Sequence, residues 1–288
     1  MNNLPELVKQ LRERTGAGIM DCRKAITETN GDIEKAIDLL REKGIAKASK
    51  KAERETLEGR IGVKVSNDKK KAVFAKLTCE TDFVAKNEIF IDIADKVAEI
   101  ALQKGVKEID LMLKEPFPGG KGSVEEQIKE AIGKIGENIQ LKEITFIDAK
   151  KGIIDVYTHL GNKLVVAVEV TTDKDGNIED LTNLAHELAM QVAVDNPEFV
   201  RREEVPTDIV ERERAVIGNS PDLATKPDNV KEKIIDGKLS AFYGSCCLLE
   251  LPYMREVSKK VGDIVAETAK KIGGKVEVCT FVRSSVRK

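Results

Sequence analysis

The sequence predicts an α+β protein with a three-helix N-terminal domain, a duplicated core of antiparallel sheets with packed helices, and a projecting helical hairpin. Three observations lead to this fold class. The first fifty residues carry apolar side chains at helical spacing, and from Gly59 the apolar period changes to two. A hairpin-plus-helix pattern then recurs about ninety residues later along the chain. Diverged copies of such a unit are expected to pack as one core.

Residues 1–54 are predicted to form the helical domain and the segment that follows it. A first apolar stripe breaks at residues 15–18, and a second helix ends at the Asn30-Gly31 pair. Asp32 can cap a third helix, which we expect to end before Gly44. A bundle this small has an incomplete apolar core, so it is expected to dock onto another surface. Residues 47–54 are predicted to be a charged, solvated linker.

The first copy of the core is predicted to span residues 55–140. Residues 61–65 and 72–79 alternate as two strands of a hairpin, and a core-facing helix follows, beginning near Phe90. Ser123 and Glu126 form a capping box for a further helix.

The second copy is predicted to comprise residues 141–206 and 243–288, with residues 207–242 inserted as a helical hairpin. It repeats the hairpin and the helix, and the chain returns to it after the insertion. The segments assigned to it are strands at residues 153–157, 164–170, 246–251 and 276–282, and helices at residues 181–192 and 258–272. The inserted hairpin is interrupted by a break at residues 218–221.

Residues 79–85, with the sequence CETDFVA, lie at the joint between the first hairpin and its helix. Side chains at such a joint can project, so Phe83 could enter a crevice of a partner while Asp82 perturbs polar groups nearby. The alternative is that Asp82 caps the helix and Phe83 belongs to the core or to a hydrophobic staple. The second copy has Asp173-Lys174-Asp175-Gly176 at this place, so only the first copy carries the acid–aromatic pair.

Composition excludes several classes of protein. The formal net charge is −2, from 48 basic and 50 acidic residues, so a nucleic acid is not expected as a direct partner. The five cysteines form no CxxC motif and only two histidines could join them, which predicts neither a disulfide framework nor a metal site. With no long apolar run and no signal-peptide pattern, we expect a cytoplasmic protein without a membrane segment.

No catalytic motif is recognisable, and no cofactor is predicted. The glycine-rich residues 119–123 lack the spacing and the preceding strand of a phosphate-binding loop, which favours a plain turn. Cys79 could be a nucleophile, but it continues the alternation of its strand and no histidine lies nearby in sequence, which favours a buried thiol. His159, in a turn, is either an exposed turn residue or a hydrogen-bonding contact for a partner.

Four stretches of the chain resemble the bacterial elongation factor Ts family, over almost its entire length. They are LVKQLRERTGAGIMDC at residues 7–22, CETDFVAKN at residues 79–87, KIGEN at residues 134–138 and KIIDGKL at residues 233–239. The turn at His159 is a further match. The first two motifs together are highly specific. Members of this family are nucleotide exchange factors for the translational GTPase elongation factor Tu and are not enzymes.

The resemblance implies a UBA-like N-terminal domain and a set of residues that contact elongation factor Tu. The contacts with the GTPase domain fall on Arg12, Ile19, Met20, Lys51, Asp82, Phe83 and Ile135, with Thr81 to Val84 as the motif. Phe83 would insert between helices of that domain, and Asp82 would disturb its magnesium and phosphate site so that GDP leaves. His159 and Met254 match positions in or near a contact with a different Tu domain.

Three features depart from the family pattern. Many relatives continue beyond residues 281–288 with a stretch rich in Gly and Glu. The break at residues 218–221 could shorten or bend the hairpin. Met254 stands where Val is common, a mild change between apolar residues. Other functions remain as alternatives. One is a chaperone-like Tu binder or a ribosome-associated factor without exchange activity, and another is an enzyme that uses Cys79 as a thiol nucleophile. The sequence leaves open whether the complex is one-to-one or a dimer of heterodimers.

Overall fold

The computed structural model describes residues 4–120, 122–149, 151–174, 178–223 and 226–287. The α-helices of this part of the chain are α1 (Leu4–Thr15), α2 (Ile19–Glu28), α3 (Ile33–Lys51), α4 (Asp82–Ala85), α5 (Glu88–Lys104), α6 (Ile109–Met112), α7 (Val124–Ile135), α8 (Ile178–Asp195), α9 (Thr207–Gly218), α10 (Asp228–Cys246) and α11 (Val261–Ile272). The strands are β1 (Glu58–Val65), β2 (Lys71–Cys79), β3 (Ile139–Asp148), β4 (Ile153–His159), β5 (Leu164–Thr172), β6 (Pro252–Tyr253), β7 (Glu256–Lys260) and β8 (Val276–Ser285).

Two three-stranded antiparallel sheets form the core, in the orders β1-β2-β3 and β4-β5-β8. Their central strands, β2 and β5, are buried along most of their length because both faces of each sheet are covered. Each central strand belongs to a hairpin followed by a long helix, α5 in the first copy and α8 in the second. The α+β fold class with antiparallel sheets and N-terminal helices is therefore confirmed.

The core has four layers, helix–sheet–sheet–helix. Helices α5 and α7 cover the outer face of the first sheet, and α8 and α11 cover the outer face of the second. The two sheets meet face to face through a third apolar cluster, which contains Ile61, Ala72, Phe74, Ile147, Ile154, Val165 and Ala167. Burial of this layer joins the copies into one body, because apolar area is removed from water on both sheets at once.

The N-terminal domain packs on the first copy where α3 crosses α7. A Cβ added to Gly133 of α7 would lie 2.9 Å from the Cα atom of Gly44 in α3, so the two backbones meet without a side chain between them. Gly44 was predicted to end the third helix, but α3 continues to Lys51. The predicted linker at residues 47–54 is therefore wrong over most of its length, because glycine here serves a close helix contact rather than a helix end.

Three further details differ from the sequence predictions. Strand β3 was not predicted. The predicted boundary between the two core copies, at residues 140 and 141, falls inside this strand. The division of the chain into domains stays a prediction. Residues 246–251 are not a strand but the end of α10 and a short 3₁₀ turn, Leu248–Glu250. The helix predicted at residues 258–272 begins only at Val261, because residues up to Lys260 pair with β6 in a small hairpin.

The inserted hairpin consists of α9 and α10, whose helices are joined by an Arg214–Asp236 ion pair of 2.9 Å. Between them the chain makes a second 3₁₀ turn, Pro221–Leu223, whose Leu223 packs against Ile217 and Leu239. The break at residues 218–221 thus ends α9 and leads into the turn that places Leu223 in the apolar seam of the hairpin. Residues 175–176 and Lys121, which entered the sequence analysis, lie outside the described residues.

Candidate functional site

The joint between β2 and α5 presents Phe83 to solvent. Thr81 begins the one-turn helix α4 as its N-cap, its hydroxyl accepting a hydrogen bond of 3.4 Å from the Val84 N–H. Val84 and Ala85 are buried, whereas 80% of the Phe83 side chain is exposed. The alternative in which Asp82 is the cap and Phe83 a core residue is therefore wrong, since Thr81 caps the turn and its buried neighbours leave the ring on the outer side.

Glu137 braces this turn from outside. Its carboxylate accepts one hydrogen bond from the Thr81 N–H, at 2.9 Å, and another from the Thr81 hydroxyl, at 2.7 Å. Next to it, Glu80 accepts from the Asn138 N–H at 2.7 Å. The carboxylates of Glu137 and Glu80 thus accept charge-assisted hydrogen bonds across the contact between α7 and the joint. These bonds fix the orientation of the chain that carries Phe83.

The carboxylate of Asp82 is available on the same exposed turn. A hydrogen bond from Lys86 of 2.9 Å is the main cause that holds the pKa of Asp82 below its usual range, so the group is charged at neutral pH. The side chains of Asp82 and Lys86 are 42% and 71% exposed, respectively. An ion pair this exposed is weak, so Asp82 can exchange Lys86 for another partner at little cost.

The C-terminal end of α7 connects the joint with the N-terminal domain. Gly136 ends α7 with a φ of 91°, a left-handed conformation that glycine adopts without strain and that turns the chain toward Glu137. Lys51, at the end of α3, donates to the Gly136 carbonyl oxygen. The Asn138 amide donates to the Arg54 carbonyl oxygen at 2.7 Å. The linker segment, the end of α7 and the joint thus form one hydrogen-bonded unit.

The other residues predicted for the GTPase contact lie around this unit. The loop between α1 and α2 lies against α7, since a Cβ added to Gly16 would be 3.9 Å from the Lys134 side chain. Beyond that loop, Ile19 and Met20 are 54% and 59% exposed, an unusual pair of adjacent apolar side chains in solvent. Arg12 is exposed on α1, while Ile135 is half-buried against the first core.

His159 and Met254 lie on the second copy, away from the joint in the chain but both connected to α8. His159 is the last residue of β4, and its Nδ1 atom lies 2.9 Å from the hydroxyl oxygen of Tyr157. The ring of Tyr157 in turn packs edge-on against the ring of His186 in α8. Met254 is half-buried between β6 and β7, and its N–H donates to Gln191 of α8 at 2.9 Å. The His159 side chain is thus connected to α8 through Tyr157, and the backbone of Met254 is connected to α8 directly.

The chemistry of the cysteines argues against the nucleophile alternative. Cys79 is fully buried, and burial, aided by the negative charge of Glu137, raises the pKa of its thiol to about 12. The reactive form of cysteine is the thiolate, which is scarce at such a pKa. Among the described residues no cluster of His, Cys, Asp or Glu could hold a metal ion. The described helices include none long and apolar enough to cross a membrane.

Sequence reasoning missed the residues that position the site. The KIGEN stretch was noted only as a family match, yet its Glu137 braces Thr81 and its Asn138 binds the segment after α3. A signal was present in the glycine at residue 136, which predicts a helix end followed by a sharp turn of the chain. The partner of Glu137 could not be predicted, because Thr81 lies 56 residues away.

Comparisons with known proteins identify a family that this chain matches. Residues 80–288 match the model of a protein family described as Elongation factor TS. A protein named elongation factor Ts from Nautilia profundicola is 38% identical over 282 residues, which are 97% of this chain and 91% of that protein. Its namesake from Prosthecochloris aestuarii is 40% identical over 278 residues, or 96% of each chain. One from Clostridium botulinum is 39% identical, covering 96% of this chain and 90% of its own length.

Proposed function

Because the chain belongs to the elongation factor Ts family, we propose that it binds the translational GTPase elongation factor Tu and accelerates the release of GDP. It does so as a binding protein, with no catalytic residue of its own. The observation that carries this proposal is Phe83, 80% exposed on a turn that Thr81 caps and Glu137 braces. An exposed aromatic side chain on a rigid support is a suitable anchor for an interface.

Phe83 inserts between helices of the GTPase domain, and Asp82 disturbs the magnesium and phosphate site. GDP is held there largely by electrostatic contacts, which lose strength steeply when donors and the metal ion are displaced. The exposed Asp82–Lys86 pair supports this role, because the carboxylate can leave Lys86 for a group of the partner. The nucleotide-free GTPase is thereby favoured over the GDP-bound form.

The remaining contacts hold the GTPase during this displacement. The exposed Arg12, Ile19 and Met20 of the N-terminal domain bind the GTPase domain beside Phe83, with Ile135 at the edge of the contact. Lys51 supports this surface from behind, through the Gly136 carbonyl oxygen. His159 and Met254 bind a second domain of the partner.

Thermodynamic linkage explains why binding alone is sufficient. A factor that binds the nucleotide-free GTPase more tightly than the GDP-bound form weakens GDP binding by the same ratio. GTP then binds the vacated site and displaces the factor, so the chain is released unchanged. This reciprocity removes any need for proton transfer or a covalent intermediate.

The test is GDP release from purified elongation factor Tu loaded with a fluorescent GDP analogue. Addition of this protein with excess unlabelled GDP should accelerate the loss of fluorescence, in a manner that saturates with protein concentration. A tight complex without acceleration would instead support a Tu binder without exchange activity. No binding in either nucleotide state would exclude this function for the chain.

A further inference from the structure

The turn between β4 and β5, residues 160–163, covers the free edge of β1. β1 is an edge strand of the first sheet, so its outward N–H and C=O groups need another partner. The Ile61 N–H donates to the Asn162 carbonyl oxygen at 2.9 Å, and the Asn162 amide donates back to the Ile61 carbonyl oxygen at 3.2 Å. Asn162 has a φ of 63°, a conformation that asparagine tolerates well, so this residue type suits both demands.

An ion cluster lies beside these hydrogen bonds. Lys163 of the same turn donates to the Glu58 carboxylate at 2.6 Å, and Arg287 near the C-terminal end pairs with its other oxygen. The Val286 N–H donates to the Lys163 carbonyl oxygen at 2.9 Å. Only 11% of the Glu58 side chain and 27% of the Lys163 side chain are exposed, so solvent weakens this pair far less than a surface pair.

The cluster lies between the two predicted contact surfaces. Glu58 is the register partner of Cys79, the residue at which β2 ends before the turn that carries Phe83. Lys163 is the last residue of the turn that begins after His159, and its N–H donates to the His159 carbonyl oxygen at 3.1 Å. After the dominant effect of Lys86, the charge of Lys163 is a further cause of the lowered pKa of Asp82. Lys163 is therefore electrostatically close to the joint.

We propose that Asn162, Lys163 and Glu58 form a strut that fixes the position of Phe83 relative to His159, so that both surfaces engage one GTPase molecule at once. These are positioning residues, and the inference rests on the proposed function. When two contacts belong to one rigid body, binding of the first presents the second at a high effective concentration. Loosening the strut makes Phe83 insertion a separate, less favourable event, even though every contact residue is still present.

The first experiment measures the geometry in the free protein and does not depend on exchange activity. Spin labels at Glu88→Cys and Leu160→Cys, in a Cys279→Ser background, report the distance between the two surfaces by pulsed electron paramagnetic resonance. Both label sites are exposed, and the other native cysteines are buried. Asn162→Gly with Lys163→Met should broaden the distance distribution. Glycine tolerates the positive φ, and methionine keeps the approximate shape of the lysine side chain. The double substitution therefore removes the Asn162 side-chain hydrogen bond and the Lys163–Glu58 ion pair, while the backbone hydrogen bond from the Ile61 N–H to residue 162 remains.

Matched variants separate the strut from ordinary surface charge. Lys271→Met removes an ion pair of 2.7 Å with Asp180 that lies within the second copy, and it should leave the distribution unchanged. Lys163→Arg, with Asn162 and Glu58 unchanged, keeps the positive charge and should give a distance distribution as narrow as that of the wild type. A distribution equally narrow in the strut variant and the wild type would overturn the proposal.

The second experiment follows GDP release at increasing concentrations of each variant. The strut variant should lower the saturating rate about tenfold, less than the roughly hundredfold loss that a misplacement of about 1 Å can cause at a reaction centre, with a smaller change in half-saturating concentration. Adding Phe83→Ala to the strut variant should lower the rate only to about that of Phe83→Ala alone, since both changes act through the same ring. Fully additive losses would contradict the strut, whereas absence of exchange by the wild type would contradict the proposed function instead.

Discussion

A single carboxylate, Glu137, sets the orientation of the exposed turn at residues 81–84. It binds both polar hydrogens of Thr81, the residue that caps the turn, and these two bonds join α7 to the joint. Without this brace Phe83 would sample several directions in solvent, because the turn α4 has only one turn of helix to hold it. The value of the ring as an anchor therefore depends on a residue outside the predicted set of contacts.

Glu137→Gln tests this brace. The amide keeps one acceptor oxygen but places an NH₂ group against the second Thr81 donor, so one charge-assisted bond is lost. We expect GDP release to slow about fivefold, which corresponds to about 1 kcal/mol, with a saturating rate affected more than binding. Glu143→Gln, which removes an ion pair with Lys76 at 2.6 Å on the same sheet, is the matched control. Equal rates for the two variants would contradict the brace.

At the scale of elements, α7 is the helix on which the N-terminal domain rests. Its Gly133 meets Gly44 of α3 backbone to backbone, and its C-terminal end meets the loop before α2, the end of α3 and the joint. Three separate segments thus take their positions from one helix. The relative placement of Met20 and Phe83 follows from this shared support.

Gly133→Ala should disturb this crossing. The new Cβ would lie 2.9 Å from the Gly44 Cα atom, and backbone cannot give way as a flexible side chain can. We expect a loss of about 1–3 kcal/mol in the free energy of unfolding and faster proteolysis after α3. Gly237→Ala is the control, because nothing lies within 4 Å of a Cβ there, and it should stabilise α10 by about 0.5–1 kcal/mol. Similar changes in the free energy of urea unfolding for both substitutions would contradict a close backbone contact between Gly133 and Gly44.

The second copy contains an ion cluster whose contribution to stability depends on pH. Hydrogen bonds from Arg202, with a further one from Lys260, lower the pKa of Glu250 from its usual 4.5 to about 2. A carboxyl with a lowered pKa in the folded state stabilises fully above pH 4.5, and this stabilisation fades as pH falls toward 2. Glu250→Gln should therefore cost about 1–2 kcal/mol at pH 7 and progressively less in acid.

Urea unfolding of wild type and Glu250→Gln at several pH values between 7 and 3 checks this expectation. Glu256→Gln, which removes a half-exposed ion pair with Lys259 in the neighbouring hairpin, is the control and should give a small difference at every pH. A wild-type advantage over Glu250→Gln that stays constant down to pH 3 would show that the ion cluster is not its source.

Sequence periodicity predicted the long helices and both hairpins, since each has a buried face at regular spacing. It failed where the pattern was weak or ambiguous. Strand β3 has few fully buried positions and a charged Lys142-Glu143 pair in its middle, so its alternation is poor. The apolar run at residues 246–251 is as compatible with a buried helix end as with a strand, and burial alone does not distinguish them.

At the scale of the whole molecule, the two copies share a hairpin and a long helix but present different side chains to solvent. In the first copy a braced aromatic follows the end of the central strand, and in the second copy a hairpin turn precedes the central strand. The apolar layer between the sheets holds these surfaces in one body. Their existence could be predicted from two sequence motifs, but the distance between them could not, because it depends on contacts between residues more than a hundred positions apart.

The proposed role of Phe83 is to displace GDP, while other surfaces provide much of the affinity. Its most direct test is the saturating rate of GDP release with Phe83→Ala beside wild type. Loss of an anchor residue costs about 2 kcal/mol or more, which is roughly a thirtyfold lower rate. Because the ring is 80% exposed, the variant should unfold at nearly the wild-type temperature, unlike Phe74→Ala in the buried layer between the sheets. An unchanged saturating rate in a folded Phe83→Ala variant would contradict the account.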